Sequence, residues 1–106
     1  MYAIKEEIQK INGEIVETFE REIVEPNTWM RVEAGTTGFT GDACRDAGGR
    51  TYLCIECRAG DFHFEPVINE DGRVVGIEVA CCGDAALEAL MKALEFADAA
   101  LIESHD

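Results

Sequence analysis

Basic residues are scarce in this chain. Nine Lys and Arg stand against 22 Asp and Glu, a net charge of −13 over 106 residues. Phosphate backbones demand a basic face, so the balance argues against duplex DNA or RNA as a partner, and no nucleic acid is expected. No apolar run approaches the ~20 residues of a membrane-spanning helix. The opening Met-Tyr-Ala-Ile-Lys-Glu-Glu is not a signal peptide, and a cytoplasmic chain without a membrane partner is expected. Histidine is limited to His63 and His105, and no G-x-S-x-G, H-E-x-x-H or Walker pattern is present. No catalytic residue and no cofactor are therefore expected.

Cysteine is not scarce, at five residues. Cys54-x-x-Cys57 invites a zinc reading, but there is no second such pair. On a strand, residues three apart point to opposite faces. Reduced thiols packed as small hydrophobes are expected, and no metal. A mixed site of Cys44, Cys54, Cys82 and His63 is the alternative.

The apolar residues, 47% of the chain, suffice for one small core in a single domain spanning 1–106. Ile4, Ile8, Ile11, Ile15, Phe19 and Ile23 recur at steps of four, three, four, four and four, which predicts an N-terminal helix over 1–24. Asn12-Gly13 is a rival hairpin signal within it. Alternation predicts strands over Thr28–Ala34, Arg50–Arg58, Phe62–Ile68 and Arg73–Cys81. Met30, Val32, Ala34, Leu53, Ile55, Cys57, Val75, Ile77, Val79 and Cys81 form their inward faces. Asp84 is a plausible N-cap for a second helix over 84–103, striped by Leu87, Leu90, Leu94, Ala97 and Leu101. The expected fold is α+β: an N-terminal helix, a four-stranded antiparallel meander over 28–82, and a C-terminal helix. The isoleucine stripe suits a helix–helix seam, so a homo-oligomer is expected.

Between the first two predicted strands lies a glycine-rich loop, 35–49, ending in G-G-R-T-Y. Loops this long in small domains are usually functional or disordered, and the functional reading is preferred. Its glycine amides, the hydroxyls of Thr36, Thr37 and Thr51, and the charges of Arg45 and Arg50 are donors suited to an anion. Phe39 or Tyr52 can stack a base, and Arg31 joins Trp29 and Arg58 on the outer strand faces. His63 and Glu65 are the best acid–base pair, read chiefly as an ordinary polar strand face.

The pattern T-W-M-R-V-E-A-G-T-T-G-F, then G-G-R-T-Y and a late C-G-D before the closing helix, resembles small phage proteins of the anti-Thoeris family. The resemblance covers roughly residues 28 to 101. It implies a counter-defence sponge in an infected host cell, not an enzyme. Such proteins hold cyclic ADP-ribose isomers intact, and some hold cyclic oligonucleotides at subunit junctions. The resemblance further implies dimers building larger rings. It carries Arg50 over as a phosphate contact, with Gly48, Gly49 and Thr51 beside it. An acidic, anti-CRISPR-like decoy that binds protein through Glu6, Glu7, Glu17 and Glu20 is the alternative function. A small hydrolase using His63 and Glu65 is the remaining one.

Overall fold

A computed structural model describes residues 4–11, 13–37 and 49–105. Six strands precede one helix: β1 (Lys5–Ile11), β2 (Glu14–Glu25), β3 (Thr28–Thr36), β4 (Thr51–Ala59), β5 (Phe62–Ile68), β6 (Val74–Cys81) and α1 (Asp84–His105). β1 to β4 form one antiparallel sheet in sequence order, and β5 and β6 form a separate two-stranded sheet. The mixed α+β character is as expected, but the arrangement of elements is not.

The expected N-terminal helix is absent, and β1 and β2 form a hairpin in its place. Ile11 pairs with Glu14 across Asn12 and Gly13, and Gly13 has φ +86°, so the Asn-Gly signal prevails. The isoleucine spacing misleads because four is also an even number. Steps of four keep a residue on one face of a strand as well as on one face of a helix. Ile15, Phe19 and Ile23 therefore share a face of β2. The single step of three puts Ile11 on the opposite face from Ile8. With no helix over 1–24, the expected helix–helix seam falls with it.

The expected meander over 28–82 is also corrected. The individual strands form, but β4 and β5 do not pair. The chain leaves the sheet at Gly60, whose φ of +129° few side chains adopt. The amide of Cys82 closes the base of the departing hairpin on the carbonyl of Asp61. Val75, Ile77 and Val79, expected inward, are exposed on this arm.

α1 covers one face of β2 and β3. The core is Ile23, Met30, Val32, Ala34, Ala89, Ala93, Phe96, Ala97 and Ala100, with Phe19, Ile55, Phe62 and Leu101 packed against it. The helix thus buries chiefly alanines with Phe96, while Leu87 and Leu94 of the expected stripe stay half exposed. Small residues allow the helix backbone to approach the sheet, where Met30 and Val32 are completely buried. Asp84 lies in the first turn, where a negative charge suits the helix dipole.

Candidate functional site: the loop neck and the buried glutamate

The glycine-rich loop leaves β3 at Thr36 and enters β4 at Thr51, two residues that face each other in the ladder. Its neck is closed by four bonds. The Thr37 amide donates to the Arg50 carbonyl at 3.0 Å, and the Arg50 amide donates to the Thr37 hydroxyl at 2.9 Å. The Thr36 hydroxyl bonds the Arg50 carbonyl at 3.2 Å and lies 2.8 Å from the Thr51 hydroxyl. The threonines singled out as anion donors are therefore engaged in fixing the loop's two ends. Gly49 adjoins this neck, while Gly48, Phe39, Arg45 and Cys44 lie outside the described residues.

Arg50 itself is half-buried, and its Nε is sealed from solvent with no hydrogen-bond partner among the described residues. Leaving a buried donor unsatisfied costs about 1–3 kcal/mol, more for a charged group. Among the described residues no carboxylate forms an ion pair with Arg50.

Tyr52 pairs with Gly35 one step into the ladder, on the sheet face away from the helix. That face carries the network the sequence reading missed. Glu33 is 2% exposed, and its carboxylate accepts from the Thr18 hydroxyl at 2.6 Å, Gln9 Nε2 at 2.9 Å and Arg31 Nη1 at 2.8 Å. Burial pushes the Glu33 carboxyl up, but the bonds from Thr18, Arg31 and Gln9 outweigh it and hold the group below the ordinary carboxylate range. Burial, with the neighbouring Cys54 and Glu33, raises the Tyr52 phenol above its ordinary value. The Gln9 bond reaches from β1 to β3 over the intervening β2, and β1 approaches β4, so the sheet curls around this face.

Arg31, expected among the ligand donors, is committed elsewhere. It bonds Glu56 at 2.6 Å, Glu20 and Glu33 at 2.8 Å each, and the Cys54 sulfur at 3.2 Å. It lies five residues from Thr36 along β3, about 16 Å from the neck at the usual rise of a strand. Arg58 sits over the Trp29 ring at 5.8 Å and near Glu22 and Glu56. The structure therefore gathers Thr36, Thr37, Gly49, Arg50 and Thr51 at the neck. It sets Tyr52 on the curled face and gives Arg31 to an ionic cluster.

His63 Nε2 lies 2.9 Å from Glu65 Oε1, with both side chains more than half exposed on the arm. Glu6 and Glu17 fall on one face of the β1–β2 hairpin, Glu7 and Glu20 on the other, and no helix unites them. Cys54, Cys57, Cys81 and Cys82 are free, and among the described residues no cluster of His, Cys, Asp and Glu is arranged to hold a metal ion. Among those residues no helix is long and apolar enough to cross a membrane. Comparisons of this chain find no matching family model, no matching curated protein and no matching solved structure.

The Glu33 network was within reach of the sequence. A two-residue Asn-Gly turn fixes Ile11 opposite Glu14, and counting back places Gln9 opposite Val16 and Glu7 opposite Thr18. That register brings Gln9 and Thr18 to the face that Arg31 and Glu33 share.

Proposed function

We propose that this chain is a non-catalytic counter-defence protein that binds and sequesters an immune signalling nucleotide at the loop neck. The ligand class is a cyclic ADP-ribose isomer or a cyclic oligonucleotide, held intact. The observation that supports this reading is the buried Nε of Arg50, unpartnered among the described residues, in a neck clamped by Thr36, Thr37 and Thr51. A phosphate oxygen supplies the acceptor that Nε lacks, in a charge-assisted bond. The bonds at the neck leave Thr36, Thr37 and Thr51 little ordering to undergo when a ligand arrives. The exposure of His63 and Glu65 leaves any reacting group there in water, which favours binding over turnover.

Native mass spectrometry of the full chain with a panel of cyclic ADP-ribose isomers and cyclic oligonucleotides tests the reading. One panel member is expected to bind and to be recovered at unchanged mass after the protein is heated. Arg50→Ala is expected to weaken it about tenfold or more, the loss of one charge-assisted bond. Equal binding by Arg50→Ala removes the assignment of the site. A hydrolysed product favours the enzyme reading, and binding of no panel member favours the acidic decoy.

A further inference from the structure

Among the described residues, the β5–β6 arm is a hairpin left largely uncovered. One face, from Phe62, Phe64, Pro66 and Ile68 to Ile77 and Val79, is apolar throughout. Every residue of β6 before Cys81 is exposed, with Ile77 at 64%. An isolated two-stranded hairpin is at best marginally stable in water and needs a further layer. Among the described residues, only its root at Phe62 packs on the core of its own chain.

α1 has the opposite deficiency. Leu87, Leu94 and Leu101 recur at seven-residue intervals beside the buried alanine stripe. Leu87 and Leu94 are each 52% exposed, with Met91 next to them at 51%. Lys92, which bonds Glu25 at the end of β2, marks the other flank of the helix. The leucine flank therefore faces away from β2, and Leu87, Met91 and Leu94 stay exposed on it.

The chain is correspondingly open in shape. Its radius of gyration is 15.2 Å and its least dimension 17 Å, against about 13 Å for a compact chain of this length.

We infer that the β5–β6 arm of one copy lies on the leucine flank of α1 in a second copy, and that the exchange is reciprocal. A bare sheet face and a bare helix flank are the two halves of one sheet-on-helix layer. The arm face is charge-free and the helix flank carries one carboxylate, Asp98 between Leu94 and Leu101, so on a chain of net charge −13 two acidic copies meet there with no carboxylate on the arm to oppose it. An anionic membrane is repelled by the same charge. The hairpin needs its cover whenever the chain is folded, and the one surface always supplied with the chain is another copy of it. The two faces together offer on the order of 600 Å² of apolar side chain per copy. With polar rims this approaches the roughly 800 Å² per partner of a standard interface. A two-fold axis makes both contacts at once and closes the assembly. The inference is independent of the nucleotide reading, because it uses neither Arg50 nor the loop.

Sedimentation of the ligand-free full chain is expected to give two chains, or a multiple of two, where one chain is 11.6 kDa. Ile77→Lys on the arm and Leu94→Lys on the helix are each expected to yield single chains whose circular dichroism keeps the helix. A photo-crosslinking residue at position 94, in a mixture of light and ¹⁵N-labelled copies, guards against a variant that misfolds. Mixed-isotope crosslinks from position 94 to residues 62–81 are expected. Wild type sedimenting as one chain, crosslinks confined to one copy, or crosslinks to other segments overturn the inference.

Discussion

The Thr18 hydroxyl donates a 2.6 Å hydrogen bond to the carboxylate of Glu33, although both side chains are sealed from solvent and lie 15 residues apart. The pair ties the N-terminal hairpin to β3 on the face opposite the helix. A buried carboxylate is tolerable only while its acceptors are filled. Thr18→Val keeps the shape and removes one donor. It is expected to destabilise the chain by about 1–3 kcal/mol, read as a lower urea midpoint with an unchanged slope. Thr18→Ser, which keeps the hydroxyl, is expected to lose less.

Acid is expected to weaken the same face. Bonds from Thr18, Arg31 and Gln9 set the folded Glu33 carboxyl below the ordinary value of 4.5, and the Arg31 bond does the same for Glu56. Groups depressed on folding stabilise fully above their unfolded pKa. That contribution declines as pH falls below about 4.5 and is lost once the folded pKa values are passed. Glu33→Gln is expected to lower stability at neutral pH and to flatten its fall between pH 5 and 3. An unchanged pH profile in denaturant melts at several pH values would sink this account.

Arg31 is the hub of the cluster, meeting Glu20, Glu33 and Glu56 with one guanidinium. Arg31→Met leaves Glu33 buried beside two further acids. Removing one partner of a buried pair costs about 3–5 kcal/mol, so this variant is expected to lose most of its thermal stability in a calorimetric scan. Adding Glu33→Met is expected to recover part of the loss, since the stranded charge is then gone. Arg31→Lys is expected to fall between, because an ammonium lacks the planar fork that serves several carboxylates at once.

Some of this architecture is legible in the residues and some is not, for definite reasons. The alternation of Met30, Val32 and Ala34 predicts a half-buried strand with these three inward, and they are inward. The helix after Gly83 is equally plain from its composition and its acidic first turn. The isoleucine steps over 4–23 are compatible with either period, and there the Asn-Gly dipeptide decides. Which flank of α1 is buried is not in its periodicity, because an apolar arc this wide lets the sheet choose alanines over leucines. At the loop, chemistry alone makes Arg31 and Arg50 equivalent donors. The partners of each are set by the register of β3 on β4, which pairs Arg31 with Glu56 and leaves Arg50 beyond the ladder.

Gly35 opens the glycine-rich segment, and its lack of a side chain serves the backbone of β2. A Cβ built there meets the Glu17 carbonyl oxygen at 2.2 Å and the Thr18 Cα at 2.8 Å. Both are main-chain atoms, so no rotamer change relieves the contact, and the strand bearing Thr18 has to move. Gly35→Ala is expected to destabilise by about 1–3 kcal/mol, the usual cost of overpacking. It should also disturb the Thr18–Glu33 bond, so its effect and that of Thr18→Val should add to less than their sum. Gly76 is the control. Its Cβ meets only Val67 at ordinary contact distance, 3.5 Å. Gly76→Ala is expected to stabilise by about 0.4–1 kcal/mol through the unfolded chain. Opposite signs in urea melts of the two variants are the expected result, and a tolerated Gly35→Ala would show that β2 and β3 do not approach this closely.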